Sequence, residues 1–187
     1  MRIVTMPEPE TPPELRAGAE ALREQAWPGG GPHDPALRPV AMLLVAPDGG
    51  VRAALDILSK EITHGGRTYR ASGLSAVVTD TAHRGRGHGR QLVAAAREVI
   101  AASGADVGLF TCDRPLRPFY ESAGWQALPG AVLIGGTPQD PFPSDQPGFD
   151  KVTMGAFFTA RACADAGAGA FEQSRIELYP GEIDRLW

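Results

Sequence analysis

Three arginines and three glycines crowd into one heptapeptide, Arg84-Gly85-Arg86-Gly87-His88-Gly89-Arg90. Glycine lacks the Cβ that would hold an oxyanion away from backbone N–H groups, and arginine offers a fixed fork of donors to phosphate. Residue types so arranged bind an anion, and the flanking sequence shows how they are presented. Ala76-Val77-Val78-Thr79, just before, is apolar and β-branched and reads as a buried strand. Just after, Leu92, Val93, Ala96, Val99 and Ile100 recur at helical spacing until Gly104 supplies a left-handed stop. Strand, glycine-rich turn and helix together aim free amides and the positive end of a helix dipole at one point. His83 and His88 read as structural or phosphate-facing neighbours of that turn.

Two familiar nucleotide patterns do not fit. Gly85-x-Gly87-x-Gly89 has the wrong spacing for a dinucleotide fingerprint, and no Gly-Lys-Ser/Thr triplet follows for a triphosphate loop. Arg84-x-x-Gly87-x-Gly89 directly after Val77-Val78-Thr79 closely resembles the acyl-coenzyme-A signature of the GNAT N-acetyltransferases. A second stretch, Pro118-Phe119-Tyr120-Glu121-Ser122-Ala123-Gly124-Trp125, resembles that family's Phe-Tyr-Glu-x-x-Gly-aromatic motif. The resemblance runs from about Leu43 to Trp125. It implies an α+β, three-layer fold: a mixed, mostly antiparallel sheet with a splayed parallel strand pair and flanking helices. It also implies acetyl-CoA as cofactor. The pyrophosphate would lie on Arg84, Gly85, Arg86, Gly87, His88, Gly89 and Arg90. The pantetheine arm would lie along the backbone of Val77, Val78 and Thr79. Tyr120 takes the place of the family's general acid, which protonates the departing thiolate. A tyrosine hydroxyl, with an ordinary pKa near 10, is chemically suited to that; the plainer role is packing against the arm.

The remaining elements must hold these two stretches together. Thr11-Pro12-Pro13-Glu14 has the makings of a capped helix start, and Leu15, Ala19 and Leu22 then line one face. Residues 27–39 form a Pro/Gly-rich loop. Strands follow through Val40–Ala46 and Ala53–Thr63, and His64-Gly65-Gly66-Arg67 reads as a tight hairpin leading from Tyr69 back to Val78. Asp106–Cys112 is the next strand, reached through a helix and so parallel to the one before the glycine turn. Pro118 belongs in the first turn of a short helix that Gly124 ends. Residues 127–150 read as a stiff, Pro/Gly-rich, acidic surface loop on the substrate side, with one short strand at Val132–Ile134. Lys151–Phe158 closes the sheet, and alanine-rich 159–173 is ambiguous between helix and loop. All of 1–187 is expected to form a single acetyltransferase domain.

Composition sets outer bounds. At 187 residues, 43% hydrophobic and 21% charged, the chain is of ordinary globular type. A net charge of −4 argues against nucleic acid and suits a cationic partner. The start lacks the apolar run of a signal peptide and no stretch reaches membrane-spanning length, so a cytoplasmic enzyme without membrane partners is expected. Cys112 and Cys163 are far apart and read as small core residues; no spacing suggests a metal. A homodimer is left open.

The chain's last third is similar to the aminoglycoside 2′-N-acetyltransferases, with a loop, a strand after an aspartate, and a Pro-Gly-acidic tail ending in tryptophan. That similarity implies Asp150 and the terminal carboxylate of Trp187 as partners for the amines of a small cationic acceptor. Where that subgroup places its glutamate base, this chain has Ser75, which cannot act as one. Glu61, His64 and Asp113 are the candidate replacements. The expected reaction is direct attack of a neutral amine on the acetyl thioester in a ternary complex, with the carbonyl polarised by a backbone N–H near Val78. A silent coenzyme-A sensor and an interaction domain using the Pro-rich loop are the rival readings.

Overall fold

The central hairpin turns on two glycines. In the computed structural model, which describes residues 1–149 and 151–179, Gly65 and Gly66 have φ of 54° and 73°. Both are left-handed, as a two-residue hairpin turn with the twist of its strands requires. They join strands that we number with the rest in chain order. β1 (Arg2–Pro7) and β2 (Val40–Val45) pair antiparallel from Arg2↔Val45 to Pro7↔Val40. β3 (Val51–His64) and β4 (Arg67–Thr79) continue the meander. β1 was not anticipated; its residues are exposed or half-buried and show no period-two apolar pattern, so only its pairing marks it.

α1 (Pro13–Ala26) lays Leu15, Ala19 and Leu22 on Leu43, Val45, Val51, Ala54 and Val78, covering one face of the sheet. The expected cap is corrected. Pro12 occupies the cap position, and among the described residues no side chain caps the helix and the buried Thr11 hydroxyl has no partner. Thr11 stands one residue too early for its oxygen to reach the first free amides. α2 (His88–Ala102) covers the other face with Leu92, Val93, Ala96 and Ile100, and Gly104, at φ 80°, ends it as expected.

β5 (Val107–Asp113) runs parallel to β4, but the two pair only at Ala71↔Val107 and Ser72↔Gly108. Beyond that point they part. α3 (Arg117–Glu121) and β6 (Gln126–Ala127) follow. The stretch read as a loop is more ordered than expected. β7 (Val132–Gly136) and β8 (Pro141–Pro143) form a hairpin, and β10 (Arg175–Glu177) adds parallel to β7. Leu133 and Ile176 are fully buried beneath this three-stranded sheet. Its prolines fall on β8, an edge strand, where the missing N–H costs no ladder bond. β9 (Lys151–Phe157) pairs antiparallel with β5 from Val107↔Phe157 to Asp113↔Lys151, and with β6. The large sheet therefore has the order β1-β2-β3-β4-β5-β9-β6. This is the mixed, mostly antiparallel sheet with a splayed parallel pair and flanking helices.

The alanine-rich stretch resolves as α4 (Ala160–Gly167), capped by the Thr159 hydroxyl accepting from the Ala162 N–H at 3.3 Å. Both cysteines are free; Cys112 is buried, whereas Cys163 lies exposed on α4, not in the core. No described helix is long and apolar enough to cross a membrane.

Candidate active site

The parting of β4 from β5 creates the site. After Ser72, β4 keeps its bonds to β3 on one side, and on the side of β5 it has no strand partner. Along this length β4 also carries an extra residue. Ala54 pairs with Val78 and Asp56 with Ser75, so Ala76 and Val77 together face Leu55. Ala76 adopts φ 50°, a left-handed conformation that an alanine takes only under constraint. The bulge falls on the part of β4, through Val77, Val78 and Thr79, that has no β5 partner. A strand edge with free amides and carbonyls is a template for another extended, amide-bearing chain.

At the mouth of the gap the chain turns through Asp80–His83. Burial acts to raise the Asp80 carboxyl. The Ala82 N–H, the His83 ring at 2.7 Å and Arg52 more than offset this and hold it below the usual carboxylate range. Gly85 and Gly87 follow at φ 76° and 79°, with only open space where a Cβ would project. Gly87 is the cap residue of the fifteen-residue α2, and no side chain satisfies the first amides of that helix. Arg84, Arg86 and Arg90 are all exposed around it. His88 is half-buried, stacked 6.3 Å from His83, and its Nδ1 is buried without a partner among the described residues. Gly89 is the hinge of the whole arrangement. A Cβ there would stand 2.7 Å from Thr79 Oγ1 and 3.3 Å from the Phe119 ring, so the end of β4, the start of α2 and α3 converge on it.

Tyr120 comes in on α3 from the β5 side. Its ring packs edge-on against Phe110 at 4.9 Å and Phe119 at 4.9 Å, and Phe110 in turn meets Trp125 at 4.8 Å. Tyr120 is buried, and its hydroxyl makes no hydrogen bond to another described residue. Burial pushes that hydroxyl well above the ordinary tyrosine value, with Cys112 and Asp113 adding to the shift. The group therefore holds its proton at neutral pH, and the same dry surroundings raise the basicity of any anion released beside it.

The acetyltransferase (GNAT) domain model matches residues 23–128, more than half of the chain. The chain belongs to the GNAT acetyltransferase family. It is thus an acyl-CoA N-acyltransferase by family, and acetyl-CoA is the family's cofactor. Solved structures agree on the fold. The chain superposes on the GNAT N-acetyltransferase YhbS from Escherichia coli, in complex with CoA, with a TM-score of 0.60 at 16% identity, covering 96% of this chain and 91% of that one. ElaA from the same organism gives 0.57 at 16% identity over 82% and 97%. An acyl-CoA N-acyltransferase from Pseudomonas aeruginosa gives 0.56 at 16% identity over 82% and 97%. No curated protein matches the sequence. In this GNAT chain the gap, the open β4 edge and the Cβ-free cradle at Gly85 and Gly87 fit coenzyme A. Two extended amides can lie along β4, and a pyrophosphate can reach the α2 amides.

Of the candidate bases, Glu61 and His64 are carried away from the gap. Glu61 lies five residues along β3 from Asp56, about 17 Å at the usual strand rise. His64 sits at the hairpin tip, its Nε2 2.8 Å from the Ala170 carbonyl oxygen and its ring tilted on Phe171. Asp113 is exposed and paired with Lys151 at 2.5 Å. Asp150 and Trp187 lie outside the described residues. Among the described residues no group of His, Cys, Asp or Glu side chains could hold a metal. A cluster not anticipated lies beside Ser75. Asp56, 1% exposed, accepts from Arg23 at 2.8–2.9 Å and meets His33 Nε2 at 3.1 Å. The clue in the sequence is a lone carboxylate inside the apolar run Ala53-Ala54-Leu55-Asp56-Ile57-Leu58, since such a charge is buried only with partners.

Proposed function

We propose that this GNAT chain, read as one domain over 1–187, moves an acetyl group from acetyl-CoA to a primary amine of a small cationic acceptor. Transfer is by direct attack in a ternary complex. The observation that carries this is the open, bulged edge of β4, with the α2 amides that no described side chain caps nearby and Tyr120 packed on Phe110 of β5. When bound, acetyl-CoA supplies the activated acyl group. The chain's own residues do the rest. Val77, Val78 and Thr79 align the arm through their backbone, and an N–H near Val78 polarises the acyl carbonyl. Gly85, Gly87 and the α2 amides hold the pyrophosphate, with Arg84, Arg86 and Arg90 around it. Tyr120 delivers a proton to the departing sulfur.

A polycationic amine of aminoglycoside type is the acceptor class that the tail's similarity favours, with Asp150 and Trp187 meeting its ammonium groups. Thiol release from acetyl-CoA over aminoglycosides, polyamines, amino acids and short peptides tests the reading. Turnover confined to aminoglycosides bearing a 2′-amine supports the full proposal. Turnover on another amine retains the transferase and discards the antibiotic. Tight coenzyme-A binding with no turnover on any amine favours the silent sensor.

A further inference from the structure

We propose that His33 is the base that takes the proton from the attacking amine, with Asp56 as its positioning residue. The inference rests on the β4 bulge being the acyl site. Three observations lead to it. First, Asp56 is the cross-strand partner of Ser75, and Ala54, two residues along the same face of β3, is the partner of Val78. The carboxylate is thus about 7 Å along the strand from the residue whose backbone faces the acyl carbon. Second, the side chain of Asp56 lies on the α1 face, where Arg23 holds it, the same face on which Val78 packs. Third, His33 reaches this carboxylate from the loop 27–39 and remains partly open to solvent, with 24% of its side chain exposed.

The geometry divides the imidazole between two tasks. Nε2 is turned to Asp56 Oδ2 at 3.1 Å, which fixes the tautomer with the proton on Nε2. Nδ1 then carries the free lone pair and makes no bond to another described residue. Arg23, bonded to both oxygens of Asp56, holds the carboxylate in place. This is the base-and-orienter arrangement that activates nucleophiles on unrelated folds. In the step, Nδ1 takes one proton from the ammonium. The freed nitrogen lone pair forms the C–N bond to the acyl carbon as the C–S bond breaks. The electron pair leaves on sulfur, where the Tyr120 proton goes; the acylated nitrogen loses its second proton to solvent, His33 yields its proton to solvent, and Tyr120 regains one from it.

The test separates this role from a merely structural one by the nucleophile used. His33→Ala and His33→Gln are assayed for thiol release from acetyl-CoA with tobramycin, with spermidine and with hydroxylamine, and for acetyl-CoA binding by calorimetry. Tobramycin and spermidine arrive as ammonium ions and need a base, whereas hydroxylamine is already neutral at pH 7. The expected result is a loss of about 10²- to 10⁴-fold in kcat for the ammonium acceptors. Acetyl-CoA affinity and the hydroxylamine rate stay unchanged, and added imidazole partly restores His33→Ala. Equal losses with all three nucleophiles, or no loss with any, overturns the base. A wild-type protein that does not bind acetyl-CoA overturns the acyl-site reading, and the base falls with it.

Discussion

Replacing Gly87 by alanine puts one methyl group where the structure leaves open space at the start of α2. Two costs follow, and they can be measured apart. Gly87 has φ 79°, so any side chain there carries the left-handed penalty of roughly 1–2 kcal/mol. For a chain of this length that is a fall of about 2–8 °C in Tm. The second cost falls on binding. The methyl would stand between the phosphates and the α2 amides, which no side chain satisfies. Losing two charge-assisted hydrogen bonds, each about 1.5–3 kcal/mol, weakens coenzyme-A binding by roughly 10²- to 10⁴-fold. Gly49→Ala is the control. Gly49, at φ 84° and with nothing near its Cβ direction, lies in the turn between β2 and β3, outside the glycine-rich turn that starts α2. It should show the same thermal loss with unchanged affinity. Calorimetric titration of coenzyme A into the three proteins, with thermal melts of each, decides the matter. Unchanged affinity in Gly87→Ala would refute the assignment of the turn. An equal loss in Gly49→Ala would show that global strain, not the cradle, was being measured.

Tyr120→Phe keeps the ring contacts to Phe110 and Phe119 and removes a hydroxyl that makes no hydrogen bond to another described residue, so thermal stability should hold while thiol-release kcat falls about 10²- to 10⁴-fold; an unchanged kcat would leave Tyr120 as packing only. Asp106 offers a pH test. Burial alone would raise its carboxyl, but the Arg70 N–H at 2.9 Å, the Thr159 hydroxyl at 3.1 Å and the Arg161 and Arg70 guanidinium groups hold it below 3.8. A carboxyl depressed in the folded state stabilises above its unfolded value and loses that contribution as pH falls through 3.8 toward the folded value. Asp106→Asn should therefore cost about 1–3 kcal/mol at pH 7 and show a shallower loss between pH 5 and 3 in urea titrations; parallel acid profiles would contradict the linkage.

Much of this site is legible in the chain because its rules are local. The left-handed turn at Gly65-Gly66, the glycine cap before α2, the apolar face of that helix and the proline in the first turn of α3 all depend on neighbours within a few residues. The GNAT motifs are short for the same reason. What the sequence leaves open depends on residues far apart along it. β1 is recognised only by its ladder to β2. β7 finds β10 some forty residues later, so a run rich in proline reads as loop until the partner strand is placed. The parting of β4 from β5 after two residue pairs, which makes the gap, shows only once the two strands are set side by side. Asp56 is the sharpest case. Its position in an apolar strand shows that it needs a partner, but only the packing of α1 and of the 27–39 loop over the sheet brings Arg23 and His33 to it. Local backbone preferences act over one turn of chain; the pairing of a buried charge is settled where distant segments meet.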